Sequence, residues 1–204
     1  MNEAQADGVP GWLKLAGGLL LLLGLLGVAL VASGLFDPRP GTDFGPVLTP
    51  GRVAIPAGAA QTTWLTNTLP LDQPFSLRLT AALAAGEADS GYGIALGSPA
   101  SEWVVALSPL GYVAIWQTVA GQREEVLPWQ TWPHARPGTA SNEFQLDVQA
   151  GQMTVRINRE WLWQGVWPPA GLPASGQVGL YAQSFGDSAA FDFLALQLAG
   201  GLPN

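Results

Sequence analysis

The sequence predicts an all-β sandwich or barrel carried behind a single apolar helix. Two observations lead there. Beyond residue 50 the chain breaks into short runs of alternating apolar and polar residues between glycine and proline turn signals, with almost no 3.6-residue period. Before that, Leu15 to Phe36 is a run of 22 residues without a charge, which as a helix spans about 33 Å, the thickness of a bilayer's hydrocarbon core. The expected organisation is a cytoplasmic tail over 1–14, a transmembrane helix over 15–36, a Pro/Gly-rich linker over 37–50 and one β domain over 51–204.

The tail ends in Trp12 and Lys14, an amphipathic ring and an amine suited to the headgroup region. Lys14 and the terminal amine flank one end of the run, Arg39 and Arg52 the other, so charge asymmetry sets no direction. The aromatic-rich, lysine-free domain that follows resembles an exported module, which places the N-terminus in the cytoplasm and the domain outside it. A cleaved signal peptide, cut at Gly34 after Val31-Ala32-Ser33, is the competing reading. The run exceeds the 7 to 15 apolar residues usual for such a peptide, and the tail before it holds Glu3 and Asp7 against one lysine. Gly17, Gly24, Gly27 and Gly34 fall on one side of the helix, where another helix could approach, although glycine is common in membrane helices.

Asp37 to Pro50 reads as an extended linker holding the domain off the bilayer. Strands are then expected at Arg52 to Ile55, Thr63 to Leu65, Phe75 to Leu83, Tyr92 to Leu96, Trp103 to Ser108, Tyr112 to Gln117, Glu143 to Gln149, Gln152 to Asn158, Trp161 to Gln164, Gln177 to Gln183 and Ala190 to Leu198. Leu79 to Ala88, LTAALAAGEA, has a helical composition, but Phe75, Leu77, Leu79 and Ala81 alternate with polar residues as a strand would.

One hairpin can be read to the residue. A two-residue turn at Ala150-Gly151 opposes Val148 to Met153, Leu146 to Val155 and Phe144 to Ile157, three apolar pairs on one side. The other side then pairs Asp147 with Thr154, Gln145 with Arg156 and Glu143 with Asn158. A slip of one residue would send the apolar set to the wrong face. A further turn at Arg159-Glu160 would put Leu162 with Ile157 on the core side, and Trp161 and Trp163 on the polar side with Asn158 and Arg156.

The succession NEFQLDVQAGQMTVRIN, REWLWQG and GQVGLYAQSFGDSAAFDFLALQL resembles the C-terminal half of concanavalin A-like jelly rolls of the laminin-G and glucanase-like kind. The matching parts are the strand led by Asn142, the hairpin end Val155-Arg156-Ile157-Asn158, the run Gly176 to Ala182, and Phe191-Asp192-Phe193. Arg159 stands where that family has glycine. The resemblance implies an all-β, two-sheet antiparallel jelly-roll sandwich, one sheet concave, with ligands held on the concave face or at the loops of one edge.

Composition narrows the function. After Phe36 there are 7 Arg and no Lys against 13 Asp plus Glu, so no basic stripe exists to displace counterions from nucleic acid. With no cysteine and His134 the lone histidine, neither a disulfide scaffold, a thiol nucleophile nor a conventional zinc site can be built. No cofactor is implied. The glucanase branch's Glu-x-Asp-x-x-Glu strand is missing, as is a Gly-x-Ser-x-Gly elbow for His134, so an enzyme is not expected. A calcium ion at Asp187 and Asp192 has only the resemblance behind it. Tryptophan stands out: eight of the nine lie beyond the apolar run. Trp64, Trp103 and Trp116 sit in apolar strands and read as core, and Trp129 and Trp132 would wall a pocket or tether a loop. Trp161 and Trp163, placed beside Arg156, Gln145 and Asp147, offer rings to stack on sugars and polar groups to orient hydroxyls.

These features predict a single-pass membrane protein whose extracytoplasmic domain is a non-catalytic binding module for carbohydrate or another cell-surface polymer, at Trp161, Trp163, Arg156, Gln145 and Asp147. The alternative is an accessory subunit whose helix and domain dock on a membrane-protein partner; a glycoside-hydrolase-like enzyme stands third.

Overall fold

The computed structural model describes residues 11–32 and 44–200; of the side chains there, those of 11–13, 30–32 and 67 are not described. The chain divides into two compact units between Gly41 and Thr42. The first holds α1 (Gly11–Ala32), a helix of 22 residues. Its described leucines are exposed, Leu20 at 70% and Leu22 at 63%. Among the described residues no helix is long and apolar enough to cross a membrane. The described side chains cover only 14–29, and a crossing takes about 20 apolar residues. The expected tail up to residue 10, the end of the expected span at 33–36 and the linker up to residue 43 lie outside the described residues.

The second unit is all β. Its strands in chain order are β1 (Gly51–Ile55), β2 (Ala60–Pro70), β3 (Phe75–Gly86), β4 (Ser90–Ser98), β5 (Ser101–Leu107), β6 (Tyr112–Val119), β7 (Gln122–Thr131), β8 (Asn142–Gln149), β9 (Gln152–Ile157), β10 (Glu160–Val166), β11 (Ser175–Ser184) and β12 (Ala189–Ala199). They form two six-stranded sheets of order β1-β12-β3-β8-β9-β10 and β2-β11-β4-β5-β6-β7, every pairing antiparallel. Leu79 to Gly86, despite its helical composition, is the end of β3.

All eleven expected strands form, and β7 is the addition. It was hidden by its role: an edge strand, exposed over Gln122 to Glu125 and interrupted by Pro128, has only the partly buried Val126, Leu127 and Trp129 to pack, too few to show an alternation. The N-terminal edge also differs. Residues 44–50, read as linker, dock on β12: the Gly45 amide donates to the Leu198 carbonyl at 2.8 Å, and Leu48 and Leu196 exchange bonds of 2.9 and 2.8 Å.

The core lies between the sheets. Leu77, Leu79, Phe144, Phe191 and Phe193 enter from the first, and Tyr92, Ile94, Leu96, Trp103 and Val105 from the second, all within 1% of full burial. Trp103 meets Trp167 edge-on with centroids 5.4 Å apart. The Trp167 indole N–H donates to the Leu71 carbonyl at 2.7 Å, so the ring is buried with its polar atom satisfied.

The β8–β9 hairpin has the register read from sequence, Phe144 with Ile157, Leu146 with Val155 and Val148 with Met153. Its turn places Ala150 at φ 51° and Gly151 at φ 73°, the left-handed pair that suits a two-residue hairpin. The next turn is one residue earlier than expected, at Asn158 (φ 54°) and Arg159 (φ 76°), so Glu160 opposes Ile157 and Trp161 opposes Arg156. Asn158 favours this conformation because its side chain is used: its Oδ1 accepts from the Glu143 amide at 2.9 Å, and its Nδ2 donates to the His134 carbonyl and to Asn142 Oδ1, each at 2.7 Å. Asn142, fully buried, donates in turn to the Tyr92 hydroxyl at 2.9 Å, and burial pushes that phenol's pKa up to about 12. The two asparagines thus tie the loop before β8 to the core.

Candidate functional site

The outer face of the first sheet carries a row of opposed residues, one from each of five neighbouring strands: Gln197, Arg78, Gln145, Arg156 and Trp161. Their sequence neighbours Leu77, Leu146 and Val155 point into the core, so strand alternation turns the row outward. Trp161, on the edge strand β10, is 57% exposed. Beside it, Arg156 Nη1 bonds Asp147 Oδ2 at 2.9 Å. The same carboxylate accepts from Gln145 Nε2 at 2.9 Å and from Ser76 Oγ at 2.7 Å. Three donors on one nearly buried carboxylate fix the guanidinium in place, and its remaining N–H groups have no protein acceptor among the described residues.

Four of the five expected residues therefore meet on this face, in two roles. Trp161 and Arg156 reach solvent, while Gln145 (4% exposed) and Asp147 (8%) lie beneath as the support of Arg156. Trp163 is a correction. A bulge makes Leu162 an extra residue, so Trp163 opposes Val155 rather than Arg156. Its ring lies 5.7 Å from that of Trp103 and packs against the core. A Cβ at Gly165 would run into it, which is why β10 has glycine there.

Farther along the face, Arg78 faces Glu143 at 3.7 Å, an ion pair too long for a hydrogen bond, and its guanidinium lies 4.4 Å from the Phe44 ring. Arg52 holds Asp192 with two bonds of 2.7 and 2.8 Å, which lowers that carboxyl's pKa. The Asp187 amide donates to Glu87 Oε2 at 2.7 Å. Among the described residues no group of three or more His, Cys, Asp or Glu side chains is placed to hold a metal. His134 is exposed in its loop, 5.3 Å from Trp132 by ring centroids.

The second sheet's outer face is built differently. Ala95, Val104, Ala106 and Ala114 make a floor of small side chains, roofed by Trp116, Tyr181, Trp64 and Trp129. Tyr181 meets Trp116 edge-on at 5.0 Å, and Trp129 lies 6.4 Å from Trp116. The Arg123 guanidinium sits 4.0 Å over Trp116, which is 2% exposed. Trp116 therefore has no free face for a ligand. Thr62 donates to Glu102 at 2.9 Å, and burial raises the Glu102 carboxyl's pKa against the partial opposition of Thr62 and Arg123. Burial also raises Tyr181, whose hydroxyl donates to Gln183 Oε1 at 2.5 Å. Sequence reading took Trp64 and Trp116 as core but did not separate this outer layer from it, because β4 is buried on both faces and shows no alternation. The available signal was the excess of glycine and alanine in strands facing tryptophan-bearing neighbours.

No family model and no curated protein matches the sequence. Solved structures do match in fold. The carbohydrate-binding module CBM66 from Bacillus subtilis aligns with a TM-score of 0.50 at 9% identity, over 78% of this chain and 92% of that one. The polysaccharide lyase family 7 alginate lyase A1-II' gives 0.54 at 10% identity, over 74% and 80%. An Aspergillus kawachii β-fructofuranosidase complexed with glycerol gives 0.50 at 10% identity, over 78% of this chain and 28% of that one. They share a fold. The domain is a two-sheet antiparallel jelly-roll sandwich, as the resemblance implied.

Proposed function

We propose that the protein is a membrane-anchored, extracytoplasmic, non-catalytic binding module for carbohydrate or another cell-surface polymer. The observation that carries this reading is the open face of the first sheet: an exposed Trp161 ring beside an Arg156 that Asp147 holds rigid. A flat indole stacks on the C–H face of a sugar ring, and a guanidinium fixed by one carboxylate keeps parallel N–H donors for vicinal hydroxyls. Shape and donors are set before the ligand arrives, which limits the entropy lost on binding. Proteins of this fold include ones named for carbohydrate binding and carbohydrate chemistry, which supports the ligand class.

The anchor is α1 together with the apolar residues that follow it. Its support is 22 helical residues bearing exposed leucines, a face that water would not tolerate. Carbonate-resistant membrane association and protease sensitivity of the domain from the outer side test this; release by carbonate or protection from protease overturns it.

The binding test uses the full chain in a polyoxyethylene detergent, since sugar-headed detergents would compete, against a polysaccharide panel read by tryptophan fluorescence and calorimetry. Trp161→Ala is expected to lose at least about tenfold in affinity with an unchanged unfolding midpoint. Equal affinity in the variant, or silence from the whole panel, sinks the reading. The accessory-subunit alternative would instead give a defined complex on mild extraction. The enzyme alternative would recruit Glu102, the carboxyl raised by burial, so Glu102→Gln would abolish turnover of a polysaccharide that the parent degrades.

A further inference from the structure

At one end of the second sheet, three turns and the end of β7 border an open cleft of about 330 Å³ lined by Asp89, Ser108, Leu110, Tyr112, Trp129 and Phe185. The turn after β5 is tight, with the Gly111 amide donating to the Ser108 carbonyl at 2.8 Å, and it presents Leu110 and Tyr112. The loop after β11 is tied to the one before β4 by the Phe185 amide, which donates to the Asp89 carbonyl at 3.1 Å. Trp129 stands nearly perpendicular to Phe185, at 82° with centroids 5.9 Å apart, and is backed by Trp116. The rings form a fixed corner.

The polar groups of this corner decide what it takes. The Ser108 hydroxyl is already used, accepting from the Leu110 amide at 3.2 Å and reaching the Ala88 carbonyl at 3.4 Å. The Asp89 carboxylate has no hydrogen bond or ion pair among the described residues, and no basic residue lines the cleft. Besides Asp89 and Ser108, the lining offers the Tyr112 hydroxyl and the Trp129 indole N–H, still few partners for the hydroxyls of a hexose, and a primary ammonium would find two acceptor groups, Asp89 and Tyr112, for three donors. A quaternary ammonium needs neither: its methyl groups want apolar walls, and its diffuse charge wants ring faces and one carboxylate. The same aromatic layer already holds one cation in this way, Arg123 over Trp116.

We infer that this corner is a binding site for a quaternary ammonium group of the choline type. It lies on the other sheet from Trp161, so its test stands apart from that of the polymer site. The full chain in polyoxyethylene detergent is titrated with tetramethylammonium and choline chlorides at constant ionic strength, read by tryptophan fluorescence and calorimetry. Saturable binding is expected, with 3,3-dimethyl-1-butanol, the uncharged counterpart of choline, at least about tenfold weaker. Asp89→Asn and Phe185→Ala, both at exposed positions, are expected to weaken choline about tenfold with unchanged unfolding midpoints, and Trp161→Ala to leave it unaffected. Equal affinity for the uncharged counterpart, indifference to both corner variants, or no saturable signal overturns the inference.

Discussion

The two outer faces of the sandwich use the same residue types in opposite ways. On the first sheet an arginine lies against a carboxylate and a tryptophan stands in solvent; on the second an arginine lies on a tryptophan and the tryptophan is sealed. What differs is the floor. Gln145 and Asp147 can hold Arg156 by hydrogen bonds, so Trp161 is not needed as cover. Alanines and Val104 offer only apolar surface, so indoles and a phenol must roof them. An exposed aromatic on the first face is therefore free to bind, and a buried one on the second is part of a small outer core.

Five substitutions test that contrast. The largest effect is expected from Trp116→Ala, which uncovers the small-residue floor and should cost about 3 to 5 kcal/mol in denaturant unfolding. Trp161→Ala should cost less than about 1 kcal/mol, and a comparable loss in the two variants would end the distinction. Next, Asp147→Ala strands three donors, those of Arg156, Gln145 and Ser76, for an expected loss of about 2 to 3 kcal/mol. A loss no larger than that of a surface variant would mean water replaces the carboxylate.

Glu102 gives a smaller, pH-dependent effect. Its folded pKa is raised by burial, so between the unfolded and folded values the native state binds more protons, and stability falls as pH rises through that window. Glu102→Gln should be more stable than the parent at pH 7, with the advantage gone below about pH 4, the unperturbed carboxyl range. A difference that does not depend on pH would place the effect in the Thr62 hydrogen bond instead. The smallest change is expected at Arg52, whose bond to Asp192 is open to water: Arg52→Ala should leave the midpoint unchanged at 0.15 M salt. A clear drop would show that this edge of the first sheet is held by charge.

Much of the fold was legible where a single face of a strand is buried. Phe144, Leu146 and Val148 alternate with polar residues, and the Ala150-Gly151 turn fixes their partners, so the β8–β9 register could be read to the residue. Legibility failed in three physical situations. At β7, an exposed edge, too few residues pack to show an alternation. At β4, expected as a strand, burial on both sides hid which of its residues face the outer layer. At Trp163 a bulge of one residue reversed the face, and nothing in REWLWQG marks which residue is extra. Trp161, two residues earlier, lies before the bulge and kept the side expected of it.

Local alternation and turn chemistry were enough for the β class, for the order of eleven of the twelve strands along the chain, for the central hairpin register and for the Gln145–Arg156 pair with Asp147 on the same face. Long-range packing settled the rest: that Trp163 turns to the core and Trp161 opposes Arg156, that Gln145 and Asp147 support rather than present, and that Tyr112, Trp129 and Phe185 border a corner with Asp89. Those outcomes depend on which strands lie side by side. Residues 17 to 96 positions from one another along the chain become neighbours there, and no short-range pattern encodes that distance.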